Sequence, residues 1–144
     1  MIEQDTVKLL RECDAGVKMG VASIDDVLEY SHSKELKDLL SKSKDHHTKL
    51  GDEIHALLLE YGSDEKEASA MAKGMSWMKT EMKLMMNDSD RTIADLMTDG
   101  CNMGVKSLNR YLNQYEAADE KSKDITKRLI NLEEKLVIDI RDFL

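Results

Sequence analysis

Cys13-Asp14-Ala15-Gly16-Val17-Lys18 returns late in the chain as Cys101-Asn102-Met103-Gly104-Val105-Lys106, with four of six positions identical. The first copy lies in a run with apolar or small residues at Val7, Leu10, Cys13, Val17, Gly20, Ile24 and Val27, and the second in a run marked by Ile93, Met97, Cys101, Gly104, Leu108, Tyr111 and Tyr115. Three-and-four spacing of this kind puts one apolar stripe on a helix. A second match follows each copy. Lys42-Ser43-Lys44-Asp45 answers to Lys121-Ser122-Lys123-Asp124, after which Leu50, Leu57 and Leu58 fall opposite Leu129, Leu136 and Val137. The spacing between the two blocks differs by nine residues, but their order and helix positions agree. The pattern predicts a duplicated helical hairpin.

Working outward, the first predicted helix covers 3–30, and Ser31-His32-Ser33 supplies a turn with Ser33 as the N-cap of the second. The second helix carries Leu36, Leu39, Leu40, Ser43, His47, Leu50, Ile54, Leu57 and Tyr61 and ends near Gly62. The third starts after Asn87-Asp88-Ser89-Asp90, and the fourth follows the polar connection 116–120 with Ile125, Leu129, Leu132, Leu136, Ile140 and Phe143 on one face. Between the hairpins, a helical segment with Asp64 as cap carries a methionine stripe at Met71, Met75, Met78, Met82 and Met85, with Trp77 beside it. The expected division of a single all-α domain is a hairpin over 1–62, a crossover over 63–88 and a second hairpin over 89–144.

Composition supports helix throughout. Proline is absent, the seven glycines form no linker, and 144 residues suffice for one continuous core. One Trp, one Phe and four Tyr stand against ten Met, so the composition disfavours strands. A net charge of −8 with no concentrated run of Lys and Arg argues against a nucleic-acid partner. No run approaches the roughly 20 apolar residues of a membrane span. The N-terminal stretch lacks the features of a signal peptide, and two cysteines are too few for a secreted disulfide scaffold, so the expected location is cytoplasmic.

About 27 residues between the second and third helices are enough, if helical, to travel roughly 35 to 40 Å, which allows those two helices to run parallel. In this respect the chain resembles the ferritin-like superfamily, and within it uncharacterised bacterial members with two hairpins and a Trp-containing segment before the third helix. The stretches that carry the resemblance are Leu39-Leu40 through Gly62, Trp77-Met78-Lys79, Gly104-Val105-Lys106-Ser107-Leu108-Asn109-Arg110-Tyr111, and the end at Ile140-Arg141-Asp142. The resemblance implies a ferritin-like four-helix bundle of two repeated antiparallel hairpins joined by a helical crossover. Di-iron members of that superfamily use a Glu from each of the first and third helices and Glu-x-x-His from each of the second and fourth. Here the aligned stretches read Asp45-His46-His47-Thr48 and Asp124-Ile125-Thr126-Lys127, the fourth helix has no histidine, and the repeat offers Cys and Gly in place of inward acids. No cofactor is expected, and a dinuclear oxidase centre is not.

Three constellations remain. Cys13 and Cys101 lie near the middles of helices that are neighbours in such an arrangement; brought together, they would form a disulfide, a redox pair or a thiolate–imidazole metal site with His46 or His47. The simpler reading is that both are small buried residues. His46 and His47 diverge by about 100° on a helix, so at most one serves a common site, and His47 lies nearer the apolar stripe. His32 and His55 read as surface or turn residues. The stretch 46–51 also resembles, in degenerate order, the exposed His followed by Lys and Gly of histidine phosphotransfer domains. Finally, six of ten methionines fall between Met71 and Met86, and a stripe of Met71, Met75, Met78, Met82 and Met85 with Trp77 suits packing on the bundle or, if left exposed, a protein partner or a homodimer. The function these readings favour is protein association without catalysis.

Overall fold

The computed structural model describes residues 3–63 and 89–144. These residues form four α-helices, α1 (Gln4–Leu28), α2 (Lys34–Glu60), α3 (Asp90–Gln114) and α4 (Glu120–Asp139), with a final 3-10 turn at Arg141–Phe143 and, among the described residues, no strand. The segment 64–88, with Met71, Met75, Trp77, Met78, Met82 and Met85, lies outside the described residues. No described helix is long and apolar enough to cross a membrane.

Local chemistry sets the boundaries. Ser33 caps α2 by accepting from the Leu36 amide, Ser89 caps α3 by accepting from that of Thr92, and Asp119 caps α4 by accepting from that of Ser122. At the end of α2, Gly62 has φ of 73°. Its amide bonds the Leu59 carbonyl and the Ser63 amide bonds that of Leu58, the paired closure that needs a left-handed residue at this position.

Hydrogen bonds between helix ends give the directions. The amides of His32 and Ser33, in the α1–α2 turn, donate to the Asp90 carboxylate at the start of α3. At the opposite end, Ala117 and Asp119, in the α3–α4 turn, donate to Asp5 and Thr6 at the start of α1. Tyr61, ending α2, donates to Asp119 before α4. Helices α1 and α4 therefore point one way and α2 and α3 the other. Both turn-linked pairs are antiparallel.

Each helix buries its stripe in one interior that divides into two apolar clusters. One is built from Leu10, Cys13 and Val17 with Leu50, Ile54, Leu57, Leu108, Ile125 and Leu129. The other joins Ile24, Val27, Leu36 and Leu40 to Ile93, Met97, Cys101, Leu136 and Ile140. Full burial of each Leu or Ile contributes roughly 1.5–3 kcal/mol, so these clusters dominate stability. At Gly51 on α2 the Val17 side chain of α1 fills the space a side chain would need: a Cβ there would lie 2.9 Å from Val17 Cγ1. Between the two clusters, Gly20, His47, Gly104 and Glu133 place one residue from each helix in a layer that is not apolar.

Candidate functional site

That layer starts from an irregularity in sequence. On the α4 stripe, Leu129 and Leu136 are spaced so that residue 133 shares their face, and residue 133 is a glutamate. On α2, His47 takes the matching place between Ser43 and Leu50. Both side chains are consequently drawn inside, His47 to 1 % and Glu133 to 8 % exposure. Burying these groups is costly unless they are paired. They are paired with each other: His47 Nε2 lies 3.4 Å from Glu133 Oε1.

The backbone decides which imidazole nitrogen is free to exchange its proton. His47 Nδ1 is 2.8 Å from the Ser43 carbonyl, which can only accept, so Nδ1 carries hydrogen. Nε2 is the nitrogen that titrates toward Glu133. Burial disfavours the imidazolium, but the hydrogen bond and negative charge of Glu133, with the Ser43 carbonyl, outweigh it and hold the His47 pKa above its ordinary value.

Two glycines make room for the pair. A Cβ on Gly20 would come within 3.1 Å of His47 Cδ2 and 3.8 Å of Glu133 Oε1, and one on Gly104 within 3.7 Å of Glu133 Oε1. The Cys101 thiol neighbours the same carboxylate, whose charge adds to burial in raising the thiol pKa. An imidazole, a thiol and two helix notches thus converge on one buried carboxylate.

The candidates named from the sequence separate in this frame. His47 is central, whereas His46 points to solvent, as do His32 and His55. Cys101 joins the layer, but Cys13 does not: its Sγ lies 3.2 Å from Thr126 Oγ1, whose own hydrogen goes to the Ser122 carbonyl. Thr126 and Glu133, the partners of the two cysteines, are seven residues apart on α4, about 10 Å along its axis. The thiols belong to different apolar clusters and both are free. Burial pushes the Cys13 thiol up to about 12, and burial with the neighbouring Glu133 carboxylate pushes Cys101 up as well. Thiolates are scarce at either position, so a disulfide reagent should label neither cysteine in the folded protein at pH 8 and both once urea unfolds it. Labelling of one thiol within seconds under native conditions would contradict this assignment.

Glu133 was not among the sequence candidates. The signal is an acid on an otherwise apolar stripe, with Leu136 and not His three residues later, so no complete Glu-x-x-His motif marks it. With the helices in place, α2 reads Lys44-x-x-His47 and α4 reads Glu133-x-x-Leu136, so each has only one member of a Glu-x-x-His pair. One carboxylate and one imidazole do not fit a dinuclear iron centre of four carboxylates and two imidazoles. Among the described residues, no group of three or more His, Cys, Asp and Glu is arranged to hold a metal ion. No protein family, curated protein or solved structure was found to match the chain.

Proposed function

We propose that this chain is a cytoplasmic, ferritin-like helical bundle, built from a duplicated hairpin, that works by associating with a protein partner or a second copy of itself and not by catalysis at its centre. The observation that carries this reading is the middle layer. It has glycine on α1 and α3, one imidazole on α2 and one carboxylate on α4, and its two polar groups are spent on each other. The order of helix directions agrees with a long connection between α2 and α3. Leu59, Met103 and Ile138, each more than half exposed, supply apolar surface that association would cover.

The test combines two measurements on protein purified without a metal-affinity tag. Sedimentation equilibrium is expected to show reversible, concentration-dependent self-association or, with a partner added, a defined complex. Elemental analysis is expected to find iron, zinc and manganese well below one per chain. A stoichiometric metal that disappears in both Cys101→Ser and Glu133→Gln would overturn the reading and favour a thiolate, imidazole and carboxylate metal site instead.

A further inference from the structure

We propose that the His47–Glu133 contact is a register key, fixing how far α2 may slide along α4. The apolar stripes of these helices repeat at heptad spacing, and such stripes fit one another equally well after a shift of seven residues, about 10 Å. Apolar packing alone therefore leaves several alignments close in energy. In the observed alignment Tyr61 meets Asp119, Glu53 meets Arg128 and His47 meets Glu133.

A shift in one direction would face His47 with Ile140 and Glu133 with Ile54. A shift in the other would face His47 with Thr126 and Glu133 with Leu40. Ile140, Ile54, Thr126 and Leu40 are all fully buried. Either shift separates the two groups and leaves the Glu133 carboxylate facing an aliphatic side chain in place of the imidazole, a costly arrangement in a buried layer. The Gly20 notch adds a steric component. It receives the imidazole edge at 3.1 Å from where a Cβ would stand, and there is no glycine one heptad away on α1, where Cys13 and Val27 stand instead. The Tyr61–Asp119 and Glu53–Arg128 contacts lie at or near the surface, where water competes, and discriminate less.

Nitroxide labels at Ala56→Cys and Glu134→Cys, both exposed positions, report the α2–α4 offset by electron–electron distance measurement on the full chain, with the buried Cys13 and Cys101 left unlabelled. The parent is expected to give one distance. His47→Leu combined with Glu133→Leu is expected to fold but to give additional shorter or longer label distances, from an axial slide of about 10 Å. His47→Gln combined with Glu133→Gln, which keeps a polar pair able to bond, is expected to return to one distance. A single parental distance in the double-leucine chain would overturn the proposal, as would equal broadening in the double-glutamine chain. Loss of a cooperative urea transition in the double-leucine chain would also overturn it, because the pair would then serve stability and not alignment.

Discussion

Replacing His47 with alanine should lower the unfolding free energy by about 3–5 kcal/mol, the range found when one member of a buried pair is removed and its partner is left behind. The deletion strips the Glu133 carboxylate of its imidazole partner and leaves it buried beside the Cys101 thiol, at best a weak donor. It also opens a void beside Gly20, whose bare Cα faces the imidazole edge. Urea unfolding followed by far-UV circular dichroism measures the loss, and a change below about 1 kcal/mol would mean the carboxylate turns to solvent in the variant.

The same pair gives the stability a pH dependence of definite sign. His47 has a raised pKa in the folded chain, so its contribution is fully present below the unfolded value of about 6.5 and is lost as pH rises through the folded value. The parent should therefore be stabler relative to His47→Gln near pH 6 than near pH 9.

Leu129→Ala should cost about 2–5 kcal/mol, the span of large-to-small changes at fully buried positions. Leu129 has no exposed surface and sits in the cluster formed by Cys13, Ile54 and Ile125, with its Cδ2 near the bare Cα face of Gly16. Gly16 offers no side chain to fill the vacated space, which favours the upper half of the range. Leu59→Ala provides the comparison. Leu59 is 60 % exposed, and its truncation should change stability by no more than about 0.5 kcal/mol. The difference in urea midpoint between the two variants is the measurement, and equal effects would mean that the α4 stripe is not the packed face.

Helix positions were legible because their signals are local. Ser33 announces a helix start, the polar run 87–90 a break, Gly62 an end, and the three-and-four spacing of Val17, Ile24, Leu50, Ile54, Leu129 and Leu136 marks the buried faces. The placing of His47 near the apolar stripe and of His46 away from it followed from helical rotation alone. What could not be read was the meeting of residues across helices. Whether Cys13 and Cys101 approach each other depends on the axial offset of α1 against α3, a relation between helices about ninety positions apart that no local signal carries. Glu133 went unnoticed for a related reason. Its importance lies in facing a histidine 86 positions earlier, a relation no window of sequence contains.

The aspartate contacts at the two ends bear on how the protein assembles. Each turn is held by a helix start from the other pair: His32 and Ser33 by Asp90, 58 and 57 positions away, and Ala117 by Asp5, 112 positions away. A helix can form within its own span, but these bonds wait for distant parts of the chain to meet and bear the entropy of closing long loops. The amides of the two turns therefore keep time for the docking of one pair on the other. In a refolding chain they should be late witnesses, silent while the helices form and protected only when the two halves have found each other.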